Sequence, residues 1–134
     1  MTDNPVDGVF EDDLMTPAEF RVVREYLGLT GDALGQILEV DSRTVRNWEA
    51  GKYLIPNGVR ERIENLEDHA AAQVGRYVDV LKDSADVGVI VYRSDAELWS
   101  GRPDLRPFPA RWHRAIIARV AHEVPGLEIE YPPR

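Results

Sequence analysis

Three side chains within residues 42–50 carry the chemistry needed to read another molecule's hydrogen-bonding edge: Arg43, Arg46 and Asn47. At helical spacing Val45 and Trp48 lie three apart and face inward, leaving the polar trio as a separate outward cluster. An arginine fork fits guanine O6 and N7, and an asparagine amide fits adenine N6 and N7, each good pair contributing roughly 1–3 kcal/mol of discrimination. The same cluster also suits a solvated helix face, and periodicity alone leaves both readings open. Metal or nucleophilic chemistry has less support. The chain has no Cys, His69, His113 and His122 lack metal-ligand spacing, and there is no glycine-rich phosphate loop or Ser-His-Asp pattern. No metal, no cofactor and no enzymatic activity are expected, and the histidines read as surface or half-buried side chains.

The outward trio needs a helix with an apolar back and neighbours that set its angle. Asp41 is placed to cap residues 42–50 and Gly51 to end them. Upstream, Thr30 can cap a short helix over 31–38, with Leu34, Ile37 and Leu38 on its inner side. Before that, Thr16-Pro17-Ala18-Glu19 is a capping-box start for a helix over 17–27, in which Phe20, Val23 and Leu27 repeat at helical spacing and Gly28 is the terminator. Pro56 opens a fourth helix whose Val59, Ile63, Leu66, Ala70, Val74, Tyr77 and Leu81 follow steps of three and four. It reads as one long helix or as two joined near His69.

Beyond Leu81 the pattern changes. Residues 87–92 form a strand-like apolar run, Ser94-Asp95-Ala96-Glu97 starts a short helix through Trp99, and 101–107 reads as loop. Pro109 then opens a helix carrying Trp112, Ile116, Val120 and Val124, broken at Pro125-Gly126. Leu127, Ile129 and Tyr131 alternate with Glu128 and Glu130, the pattern of a half-buried strand. Two strands and two helices make a small α+β unit whose strands pair with each other or across a dimer. Six arginines (Arg93, Arg102, Arg106, Arg111, Arg114, Arg119) are read as pairing with acids or lying on the surface, ahead of touching flanking phosphate or RNA.

A net charge of −8 on 134 residues excludes a histone-like coating protein and discourages non-specific contact with nucleic acid. The charge is unevenly placed. Residues 1–13 carry −5, residues 14–62 balance seven acids against seven bases, 63–92 carry −4 and 93–134 carry +1. Exposed charges are screened beyond roughly 8 Å at physiological salt, so the neutral block is free to meet DNA. A neutral reading block on an acidic chain predicts selective, salt-sensitive binding. No apolar run is long enough to span a bilayer, and the first residues lack a basic signal-peptide start, so a cytoplasmic protein without a membrane partner is expected.

Residues 15–66 resemble the Xre or Cro-like (lambda-repressor-like) helix-turn-helix of phage and bacterial repressors. The match rests on Leu29-Thr30, Leu34, Leu38, Val40, Thr44-Val45 and above all Trp48-Glu49-Ala50-Gly51-Lys52 followed by Pro56. Two departures stand out: many family members place Gln at the start of helix two, here Gly31, and the family's turn glycine is here Glu39. Glu39 must adopt left-handed geometry, at roughly 1–2 kcal/mol, or reshape the turn. The resemblance implies that Ser42, Arg43, Arg46 and Asn47 meet base edges or phosphate, that Thr30, Lys52 and Tyr53 meet phosphate, and that Arg24 and Glu49 form a partly buried structural ion pair. In layout the chain is also similar to anti-CRISPR-associated autorepressors, in which a small tail dimerises.

The expected architecture is mainly α: an acidic leader over 1–14, a helix-turn-helix domain with a long connecting helix over 15–83, and a β-α-α-β unit over 84–134 that dimerises. The expected function is a homodimeric transcriptional repressor of its own operon, binding double-stranded DNA at an inverted-repeat operator. The alternative is an antitoxin or a protein-interaction module with a toxin or other protein partner. An enzyme with a Cro-like N-terminal domain ranks last, because the tail shows no catalytic set.

Overall fold

Among the described residues four helix starts follow a side chain that satisfies an otherwise unpaired N–H group, and the two that begin at Asn57 and Ala110 follow a proline. The structure, a computed structural model, describes residues 14–134; the leader expected over 1–14 lies outside the described residues except for Leu14. The first helix, α1 (Pro17–Tyr26), opens on a full capping box: the Thr16 hydroxyl accepts from Glu19 N at 3.0 Å, and the Glu19 carboxylate accepts from Thr16 N at 2.8 Å. Thr30 caps α2 (Gly31–Leu38), Asp41 caps α3 (Ser42–Glu49), and Ser94 caps α5 (Asp95–Gly101), each with a side-chain oxygen that accepts from a backbone N–H of the first turn. Between α3 and α5 run α4 (Asn57–Leu81) and β1 (Gly88–Ile90); after α5 come a single 3-10 turn (Pro103–Leu105), α6 (Ala110–Glu123) and β2 (Glu128–Glu130). The described residues are thus mainly helical with one small sheet.

The long connecting helix is unbroken at His69. Ala70-Ala71-Ala72 follow that residue, and alanine is the strongest helix former. The N-terminal end of α4 buries Val59 and Ile63 in one core with Phe20, Leu34, Leu38, Val45 and Trp48; further along it buries Ala70, Val74 and Leu81. Trp112, Ile116, Ile117 and Val120 form the buried face of α6, which packs along α4. Each fully buried side chain of this size contributes roughly 1.5–3 kcal/mol. His69 of α4 is exposed at the edge of this contact, stacked on Phe108 at 5.1 Å and Trp112 at 5.7 Å between ring centroids.

The two strands pair with each other, in parallel, with Gly88 opposite Glu128, Val89 opposite Ile129 and Ile90 opposite Glu130. Parallel neighbours require a long crossover, here supplied by α5, the 3-10 turn and α6. The half-buried pattern expected for the second strand is corrected. Ile129 and Tyr131 are 44 % and 47 % exposed, because alternation assigns a side chain to a face but does not supply a layer to cover that face. The segment expected as loop over 101–107 instead holds the last residue of α5 and the 3-10 turn.

Candidate nucleic-acid interface

The orientation of α3 is set from its back. Val45 is 1 % exposed and Trp48 6 %, and the Trp48 ring meets Phe20 edge-on at 5.7 Å and 82°. The opposite side carries Arg43 and Arg46, both exposed, and Asn47, half-buried. Asp41 accepts from Arg43 N at 3.4 Å, and the Ser42 hydroxyl accepts from Arg46 Nη1 at 3.4 Å. Among the described residues no carboxylate lies within ion-pair distance of Arg43, Arg46 or Lys52.

Two arginines from other helices hold the frame. Arg24 meets Glu49 as a bidentate fork, Nε to Oε2 at 2.6 Å and Nη2 to Oε1 at 2.9 Å, and its Nη1 donates to the Leu29 carbonyl at 2.9 Å. Both side chains are largely buried, and the hydrogen bonds to Glu49 raise the Arg24 pKa above its ordinary value. This joins the end of α1 to the end of α3. From α4, Arg62 donates to the carbonyls of Leu38 at 2.7 Å and Ile37 at 3.3 Å, occupying acceptors that the end of α2 would otherwise leave open.

The turn between α2 and α3 is tight. Glu39 takes the left-handed conformation, φ 61° and ψ 42°, which is one of the two outcomes expected for a non-glycine residue there. Gly35 is the residue that lets the turn close: a Cβ at that position would lie 2.9 Å from the Val40 carbonyl oxygen. Neither Gly35 nor Arg62 belongs to the motif residues that the sequence singles out. A glycine inside an eight-residue helix was a usable signal, since it costs about 1 kcal/mol against alanine unless packing demands it. Arg62 gave none, because its partners lie 24 and 25 residues away.

Thr30, Ser42 and Arg46 come together around a hollow of about 250 Å³ that is also lined by Arg24, Gly31, Asp32, Val45 and Glu49. The Thr30 hydroxyl accepts from Ala33 N at 3.1 Å. Lys52 and Tyr53 stand in the turn after α3, the Lys52 Nζ lying 5.6 Å from the Tyr53 ring centroid and both residues exposed. A row of exposed arginines with half-buried amide and hydroxyl groups, beside a capped helix N-terminus, can bind phosphate and base edges.

Among the described residues no group of His, Asp and Glu could hold a metal ion, and no helix is long and apolar enough to cross a membrane. One histidine departs from expectation: His113 is 2 % exposed rather than superficial. The Tyr77 hydroxyl accepts from Arg102 Nη1 at 3.0 Å and so donates to His113 Nε2 at 2.9 Å. The proton of the neutral ring then sits on Nδ1, which is buried without a partner among the described residues. Burial, reinforced by the charges of Arg102 and Arg114, pushes the His113 pKa down to about 4.

No curated protein matches the chain. The profile of one family, described as Aca2/YdiL-like, matches residues 15–127, taking in both the α1–α3 frame and most of the C-terminal stretch. The chain belongs to the Aca2/YdiL-like family of anti-CRISPR-associated helix-turn-helix regulators.

Proposed function

We propose that this chain is a sequence-specific DNA-binding transcriptional regulator, a homodimer that represses its own operon. In this reading α2 and α3 form the helix-turn-helix, α3 enters the major groove, and Arg43, Arg46 and Asn47 meet base edges. Thr30, Ser42, Lys52 and Tyr53 hold the phosphates on either side, and the Arg24–Glu49 pair fixes the angle of α3. The observation that carries the reading is the two-sidedness of α3: Val45 and Trp48 buried behind, and in front two arginines that have no carboxylate partner among the described residues. A helix-turn-helix of this length contacts only a few base pairs, so a two-fold assembly on an inverted-repeat operator supplies the remaining specificity. The unit over 84–134, with Ile90, Ile129 and Tyr131 exposed on or beside its sheet, offers apolar surface for that assembly.

The test is recovery of bound fragments from a genomic library by the wild-type chain and by an Arg43→Ala plus Arg46→Ala variant. The wild type enriches its own promoter and protects it as a two-fold-symmetric footprint, and the variant does neither. Undiminished recovery by the variant overturns the reading face.

A further inference from the structure

The C-terminal arginines are largely engaged within the fold. Arg93 pairs with Glu97 at 3.2 Å, Arg102 with Asp104 at 2.9 Å, and Arg114 donates to the Tyr92 carbonyl. Arg106 lies over the Trp99 ring at 4.7 Å and Arg119 over the Tyr26 ring at 5.0 Å. Arg111 is different. It is exposed at the start of α6, and among the described residues its side chain has no carboxylate, carbonyl or ring partner.

Its position is set by backbone packing. The turn after α1 passes so close to α6 that a Cβ on Gly28, whose φ is +70°, would lie 2.7 Å from the Arg111 carbonyl oxygen. Arg111 thereby lines, with Arg24, Glu25, Gly28, Leu29, Thr30 and Gly31, a hollow of about 340 Å³. Three of those residues, Arg24, Thr30 and Gly31, also line the hollow that holds Ser42 and Arg46. One trough therefore runs from α3, past the start of α2, to the first turn of α6. Of its carboxylates, Glu49 is held by Arg24 and Glu25 by Arg21 at 3.2 Å, which leaves Asp32. Gly31, in the middle of the trough, offers no side-chain donor.

We propose that Arg111 is a phosphate contact of the DNA interface, a cation lent by the C-terminal stretch to the backbone flanking the base pairs under α3. The inference rests on the DNA-binding reading above and extends it to a residue outside the helix-turn-helix. Cations placed on phosphates fix register and add affinity for any sequence, and each releases counterions on binding. Arg111 thus raises affinity and salt dependence without altering base preference.

The experiment measures binding to a random-sequence 30-bp duplex and to the recovered genomic fragment between 50 and 200 mM salt, for the wild type, Arg111→Ala, Arg111→Lys and the Arg43→Ala plus Arg46→Ala variant. Arg111→Ala weakens both duplexes by roughly tenfold per dimer and flattens the slope of log K against log salt by about one per protomer. Arg111→Lys keeps the slope, the thermal midpoints of both variants stay at the wild-type value, and the recovered sequence motif is unchanged. A wild-type slope and affinity in Arg111→Ala, alongside lost binding in the α3 double variant, overturns the inference and leaves the DNA-binding reading standing. A wild-type chain that binds neither duplex overturns both.

Discussion

Arg43 and Arg46 on α3 and Arg93 and Arg102 in the C-terminal stretch are the same residue type put to opposite uses. On α3 the guanidinium groups have no carboxylate partner among the described residues, whereas Arg93 and Arg102 are paired with Glu97 and Asp104 and donate in addition to the Pro132 carbonyl and the Tyr77 hydroxyl. Pairing commits a cation to the fold, while an exposed guanidinium keeps its charge toward solvent. Formal charge per segment did not separate these cases: residues 14–62 sum to zero and 93–134 to +1. What distinguishes them is whether a carboxylate close in sequence is left to pair: Glu97 and Asp104 meet Arg93 and Arg102, whereas Asp41 accepts from the Arg43 backbone and Glu49 is held by Arg24.

The largest break in this comparison comes from the back of α3. Trp48→Ala removes the ring that meets Phe20 and costs about 3–5 kcal/mol, measured by urea denaturation, while Arg43→Ala stays within about 0.5 kcal/mol because its side chain is exposed. Equal losses would mean that the outward face is part of the fold. Next come the two arginine–carboxylate pairs. Arg24→Ala strands Glu49 in a mostly buried site and costs about 2 kcal/mol, below the value for a fully buried pair, whereas Arg102→Ala, whose partner Asp104 is 61 % exposed, costs under about 1 kcal/mol.

Acid sharpens the contrast from the other end of the molecule. His113 titrates near 4 in the folded chain and near 6.5 when unfolded. Below pH 6.5 the unfolded chain therefore binds a proton that the folded chain refuses. The stability from neutral His113 is fully present above pH 6.5 and is lost as pH falls toward 4. Between pH 7 and 5 this amounts to about 2 kcal/mol; the difference is absent from a His113→Gln variant, and an unchanged pH slope in that variant would refute the assignment. The smallest effect lies in the turn. Glu39→Gly relieves a left-handed non-glycine residue and raises stability by about 0.5–1 kcal/mol after the added freedom of the unfolded chain is deducted, read as an upward shift in thermal midpoint.

Much of the local structure was legible because its causes are local. Thr16, Thr30, Asp41 and Ser94 cap helices through N–H groups two or three residues away. Gly28 and Gly51 end helices in the left-handed conformation that glycine adopts without strain. The inward placing of Val45 and Trp48 follows from spacing alone. His113 was also legible in retrospect, since it shares helical spacing with Ile116, Ile117 and Val120 and so belongs to the inner face of α6. The exposure of Ile129 and Tyr131 was not legible, because a two-residue alternation looks the same whether or not another layer covers it.

The sequence by itself determined where most helices begin, which face of each is apolar, and that residues 42–50 present arginine and asparagine opposite Val45 and Trp48. Those properties depend on φ/ψ preference and on neighbours within a turn or two of chain. Only the tertiary structure decided that Arg62 closes the end of α2, that the strands pair in parallel within one chain, that His113 is buried beside Tyr77, and that Arg111 lines the same trough as Arg46. Each of these joins groups separated by more than twenty residues, and a contact at that range is selected by packing of the whole core, which no local pattern encodes.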